Sequence, residues 1–153
     1  FVGIGIGKSK ETVPSRDKAK RGARVGLIRI RRGCGSWECN CRQPHSIPFA
    51  VKGKCGSSEI ELIPAPKGKG LCVEKECAKF LTLAGIKDVW SKTYGQTSTK
   101  INLLYATYDA LKKLSQIKIK PEDIQKLGII EGKLKEIEQP KIVEVKEGES
   151  EKS

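Results

Sequence analysis

From Glu59 to Ile63 polar and apolar residues alternate with period two, the mark of a strand with one face buried. Gly53 and Gly56 precede it and permit turn geometry, while Pro64 and Pro66 end it, because proline has no N–H to give to a ladder. Residues 46–54 place Ile47, Phe49 and Val51 on one face, so they read as the antiparallel partner across a turn at 53–57. Val2-Gly3-Ile4-Gly5-Ile6-Gly7 alternates glycine with apolar residues. It reads as a strand with one bare face, open to close approach by another backbone or by RNA. Residues 86–94 predict a further strand, and Gly95-Gln96-Thr97-Ser98 a turn.

Three longer runs have helical spacing. Thr12 can cap a helix with Pro14 in its first turn, and Ala19, Ala23, Leu27 and Ile30 then share one face. Gly22 and Gly26 weaken that helix by up to about 1 kcal/mol each. Cys77, Phe80, Leu81 and Ala84 form a second face, stopped by Gly85. Ile101, Leu104, Tyr105, Tyr108, Leu111 and Ser115 form a third, and 121–128 a short fourth helix. Strands followed by βα elements predict an α+β sandwich, with helices over one face of a small sheet.

Charge changes this picture more than size does. The chain of 153 residues carries +12, which calls for a polyanionic partner, nucleic acid above all. Residues 8–32 hold ten cations against two acids, too unbalanced for an ordinary solvated face. Lys67-Gly68-Lys69-Gly70 follows Pro66 as a basic loop suited to phosphate. The candidate RNA contacts are Lys8, Lys10, Arg16, Lys20, Arg24, Arg31, Arg32, Lys54, Lys67, Lys69, Lys92 and Lys100. A phosphate loop at Gly7-Lys8-Ser9 fails, since Val2 stands where the motif needs glycine. No apolar run reaches the roughly 20 residues that span a bilayer, and the cations follow residues 1–7 rather than precede them, unlike a signal peptide. The start at Phe1, inside a predicted strand and in a chain without methionine, predicts a further N-terminal segment. Residues 131–153 hold seven glutamates and five lysines and read as a disordered tail.

Cys34, Cys39, Cys41 and His45 are spaced C-x4-C-x-C-x3-H within twelve residues, and His45 is the one histidine in the chain. Three thiolates and an imidazole are a tetrahedral zinc set, structural because no position stays open for water. The competing readings are free thiols, or a Cys–His nucleophile pair through Cys41 or Cys39, for which the sequence shows no activating pocket. Trp37, inside the cluster, predicts a shield for the site or a stacking platform for a partner. Cys55, Cys72 and Cys77 lack metal spacing and read as buried thiols rather than disulfides, with pairing left open by the sequence.

Lys54-Cys55-Gly56-Ser57 and Leu62-Ile63-Pro64-Ala65-Pro66-Lys67-Gly68 resemble the core signature of the small-subunit ribosomal protein S-five family. Ala84-Gly85-Ile86-Lys87-Asp88-Val89-Trp90 and Tyr94-Gly95-Gln96-Thr97 resemble its archaeal form, and the likeness continues through Ala106-Thr107 and Asp109-Ala110-Leu111. It covers roughly residues 1–115. The resemblance implies that 1–32 end a double-stranded-RNA-binding-like domain and that the α+β domain at 47–115 has a left-handed βαβ crossover. Residues 33–46 read as a Cys/His loop between them, and the extension 116–153, mostly disordered, lies beyond the resemblance. Gly22 and Gly26 depart from the family's alanine-rich helix. The implied role is non-enzymatic: a cytoplasmic constituent of the small subunit, bound to ribosomal RNA and to proteins S-four and S-eight, and supporting decoding accuracy. No membrane or small-molecule substrate is expected. The alternative is a free-standing double-stranded-RNA binder.

Overall fold

The computed structural model describes residues 1–132. Its centre is a four-stranded sheet in the order Val51–Cys55, Ser58–Pro64, Val89–Tyr94, Leu71–Cys72. β2 (Val51–Cys55) and β3 (Ser58–Pro64) form an antiparallel hairpin with Val51 opposite Leu62 and Cys55 opposite Ser58. The turn is Gly56-Ser57, with Gly56 at φ +62, where a side chain would be strained. Ser58, Ile60 and Leu62 are buried and Glu59 and Glu61 lie on the other face, as the period-two pattern requires. β5 (Val89–Tyr94) runs antiparallel to β3 and parallel to β4 (Leu71–Cys72). Helix α2 (Lys75–Leu83) connects β4 to β5, which makes the βαβ unit. With α3 (Lys100–Gln116) it covers one face, over a core that includes Ile60, Leu62, Leu81, Leu103, Leu111 and Leu114. The fold is α+β, in two layers.

Several predicted elements differ. The strand expected at 46–54 begins only at Val51, because Pro48 cannot donate to a ladder; Ser46 instead makes a single bridge to Gly33. The buried face of α3 is Leu103, Ala106, Thr107, Ala110, Leu111 and Leu114, whereas Ile101 is 66% exposed and Leu104, Tyr105, Tyr108 and Ser115 are only half-buried. Small residues form the seat because α3 lies directly on β2. A Cβ on Gly53 would fall 2.0 Å from the Ala106 carbonyl oxygen. Residues 3–7 join no ladder, and Val2 alone bridges to Ile28.

The bare face of that glycine run is nonetheless used. Cβ atoms on Gly3, Gly5 and Gly7 would each fall 2.2 Å from carbonyl oxygens of Ala23, Ala19 and Ser15 in helix α1 (Thr12–Val25). The backbone that approaches is therefore the chain's own helix. Glu11, not Thr12, is its N-cap and makes no side-chain bond there; Gly26 ends it, so Leu27 and Ile30 lie beyond it. The Tyr108 hydroxyl donates to the Gly26 carbonyl at 2.7 Å, fixing that end to α3.

A second, two-stranded sheet pairs β1 (Arg31–Arg32) with β6 (Ile130–Glu131), after α4 (Pro121–Leu127) with its left-handed cap Gly128. Glu131, expected in the acidic tail, thus belongs to a strand. The rest of that tail, from 133, lies outside the described residues.

Candidate metal centre and nucleic-acid interface

Backbone bonds bring the four metal-ligand candidates together. Gly33 exchanges both its bonds with Ser46, the Cys34 N–H donates to Leu127, and the Gly35 N–H donates to Ile47. This fastens the start of the loop beside its end, so Cys34 meets His45. The three sulfurs and a His45 ring nitrogen lie within 4.8 Å of one another; Cys34 and His45 are buried, Cys39 and Cys41 half-buried. His45 Nδ1 bonds Asp88 Oδ2 at 2.8 Å, which leaves Nε2 toward the Cys39 sulfur, 3.9 Å away. An imidazole held on one nitrogen by a carboxylate and offering the other is the usual way a metal-binding histidine is oriented.

The thiols are set apart electrostatically. Burial, reinforced by Cys41 and Cys39, pushes the Cys34 thiol up to about 11. The Lys67 backbone N–H, with Cys41, draws Cys39 down to about 6. A bound divalent cation favours the thiolate on every ligand, so it removes this inequality. Cys39, His45 and Asp88 alone would have the order of a nucleophile, a base and an orienting group. Cys34 and Cys41, however, converge on the same point, which is the donor set of a soft cation.

Asp88, which the sequence reading did not single out, joins this centre to the basic loop. It is 4% exposed, and its Oδ1 accepts from Gly68 N–H at 3.1 Å and Gly70 N–H at 2.8 Å. The Lys87 and Asp88 N–H groups both donate to the His45 carbonyl, and the Ser46 hydroxyl donates to the Asp88 carbonyl while accepting from Ala65 N–H. One buried carboxylate thus holds the metal-side histidine and folds the loop 66–70. Gly68 and Gly70 have φ +88 and +78 and turn their N–H groups inward, leaving Lys67 and Lys69 exposed. The signal available beforehand was an acid at the start of an apolar strand, flanked by Ile86 and Val89.

The other candidate contacts divide. Lys8, Lys10, Arg16, Arg24, Lys69 and Lys92 are exposed and make no ion pair among the described residues. Lys67 is also exposed and donates to Gln43 Oε1 at 2.9 Å. Lys20 lies 3.7 Å from Asp17, Lys54 2.6 Å from Glu59 and Lys100 3.5 Å from Glu74. Arg31 and Arg32 turn inward, contrary to expectation. Arg31 binds Glu131 and the Leu114 and Ile117 carbonyls, and buried Arg32 donates to the Gly132 and Gly85 carbonyls. Short β1 needs those bonds because two residues make little ladder. Trp37 is 90% exposed and shields nothing. All six cysteines are free; Cys77 is buried as expected, Cys55 half-buried and Cys72 exposed.

The family "Ribosomal protein S5, C-terminal domain" matches residues 53–127, from β2 through α4. The relatives are closer over more of the chain. "Small ribosomal subunit protein uS5" of Methanococcus vannielii is 51% identical over 134 residues, 88% of this chain and 60% of the relative. The protein of that name from Methanocaldococcus jannaschii is 51% identical over the same share of this chain and 62% of its own. The chain belongs to the ribosomal protein S5 family. A third relative of the same name, from Thermofilum pendens, is 55% identical over 116 residues, 76% of this chain and 57% of its own. The chain therefore spans about 60% of the length of these archaeal S5 relatives. The family match contains Asp88 and the basic loop, and it begins after His45.

Proposed function

We propose that the chain is a non-enzymatic, RNA-binding constituent of the small ribosomal subunit, acting in the cytoplasm. The observation that carries this is the set of exposed cations, most without an ion pair among the described residues, on α1 and on a loop whose shape a buried carboxylate fixes. Both supply charge for phosphates, which position a protein on RNA without reading sequence. The names of the S5 relatives support the subunit. Ribosomal RNA is the main partner. Proteins S-four and S-eight are neighbours and decoding accuracy is the supported activity, both through the family resemblance. The Cys34, Cys39, Cys41 and His45 centre takes a structural zinc ion; its convergent donors and the carboxylate behind His45 support that assignment. Zinc there supplies a fourfold tie across the loop, and no step of chemistry runs through it.

Sedimentation of lysate through a high-salt gradient tests the location: the chain stays with small subunits if it is an integral component. Recovery at the top of the gradient overturns the ribosomal reading in favour of a free double-stranded-RNA binder. Lys67→Ala with Lys69→Ala lowers RNA affinity and flattens its dependence on salt by about two phosphate contacts. An unchanged slope removes that loop from the interface.

A further inference from the structure

Between the Cys/His loop and the end of α4 the surface opens into a cleft of about 560 Å3. Trp37, Asn40, Arg42 and Lys126 line it, with Ser36 and the metal-centre residues Cys34 and Cys39; among the described residues no acid does, and Glu122 lines the adjoining cleft with the same Arg42 and Lys126. Trp37 is 90% exposed although Cys34 and Cys39 flank it at three and two residues, so a large apolar face is held outward on a tethered loop. Ser36 is 7% exposed, and its hydroxyl has no hydrogen-bond partner among the described residues. A buried hydroxyl left unpaired is costly, and a ligand that pairs it removes the cost.

We propose that this cleft is a binding site for one unpaired nucleotide of RNA, its base stacked on the Trp37 indole and its phosphate held by Arg42 and Lys126. The inference rests on the RNA-binding reading above and adds a single-stranded element to it. Stacking on an aromatic face needs a base splayed out of its helix, and every base has such a face. Arg42 and Lys126 then meet the backbone charge inside the cleft. The Asn40 amide supplies donors and an acceptor for a base edge or a 2′-hydroxyl. A protein partner could also use an exposed tryptophan, but two cations inside the cleft, with Glu122 only in the adjoining one, favour phosphate.

The test uses the zinc-loaded chain with Trp90→Phe, so that Trp37 is the remaining tryptophan of the two. It is titrated with a single-stranded oligoadenylate and, separately, with an RNA duplex of about 16 base pairs, the span of a double-stranded-RNA module. The oligoadenylate quenches Trp37 fluorescence. Read by the anisotropy of a labelled oligoadenylate, Trp37→Ala weakens that binding about tenfold, as loss of one stacked base does, and Trp37→Phe restores most of it. Duplex binding changes by less than about twofold, because its contacts are phosphate contacts elsewhere. Absent quenching with unchanged oligoadenylate affinity in Trp37→Ala overturns the site while leaving the RNA-binding reading intact; this is also what a protein-docking cleft gives. Equal weakening of both RNAs overturns it too, by making Trp37 a general contact. Failure of the unaltered chain to bind either RNA sinks the RNA-binding reading itself.

Discussion

Helix α1 lies against Gly3, Gly5 and Gly7, and helix α3 lies against Gly53; at both crossings small residues let backbone meet backbone. Ser15, Ala19 and Ala23 serve on α1, Ala106 and Ala110 on α3. Around that shared device the two helices differ. α3 also buries Leu103, Leu111 and Leu114, each contributing about 2 kcal/mol of transfer free energy. α1 buries no residue at all. Its attachment is the glycine seat, the Ser15 hydroxyl bond to the Gly7 carbonyl at 2.8 Å, and the Tyr108 bond at its end. A helix held by its backbone keeps its side chains for another purpose, and on α1 five of those are cations against one acid, Asp17. A helix that must fill a core cannot do this.

Alanine at the two seats separates these roles. Gly53→Ala places a Cβ 2.0 Å from the Ala106 oxygen and 2.6 Å from the Ala110 nitrogen, with core on all sides, so the sheet and α3 must part. The expected cost is about 4 kcal/mol, read as a fall in the global denaturation midpoint. Gly5→Ala creates equally close contacts with Ala19 and Ala23, yet α1 can lift away without opening the core. About 2 kcal/mol is expected, read as faster hydrogen exchange in α1 while β3 and β5 stay protected. If Gly5→Ala lowers the global midpoint as far as Gly53→Ala, α1 belongs to the same cooperative unit and the contrast collapses.

Asp88→Asn sharpens the comparison from the other side, because the Asp88 network does not reach α1. The variant keeps the shape of the side chain, but it loses the charge that faces three donors and turns an N–H2 group toward one of them. Loss of about 2 kcal/mol is expected, with zinc affinity down about 10- to 100-fold by competition with a chelating dye. Exchange in α1 stays as in the parent chain. Unchanged zinc affinity sinks the assignment of Asp88 as the group that orients His45.

Much of this was legible in the sequence, and the misses share a cause. Alternation found β3, and glycine and proline marked its ends. Cysteine spacing found four groups that do converge. Large residues misplaced the face of α3, since Ala106 and Ala110 outrank Ile101 and Tyr105 wherever a strand glycine draws the backbone in. The glycine run at 3–7 predicted a close approach correctly but a strand wrongly, because the approaching backbone is helical. The role of Asp88 and the inward bonds of Arg31 and Arg32 were not legible, for one reason. Their partners lie 18 to 100 residues away in the chain, and no local pattern reveals them.

The smallest effect concerns how the helices begin. Glu74 caps α2 by accepting from the Glu76 N–H at 2.8 Å, while Glu11 stands at the same position on α1 with no such bond. That bond, helped by Lys100 and opposed by partial burial, holds the Glu74 carboxyl below its usual 4.5. A carboxyl lowered on folding stabilises the folded chain above the unfolded value, and the stabilisation is lost as pH falls through the lowered one. Glu74→Gln keeps an acceptor and removes the charge, so it lowers the denaturation midpoint slightly at neutral pH. The difference from the parent chain shrinks as pH drops below 4.5 and vanishes once both forms are uncharged. Glu11→Gln leaves the midpoint where it was throughout, since no cap bond depends on it. A loss in Glu74→Gln that is as large in acid as at neutral pH shows that side-chain shape, not charge, makes the cap.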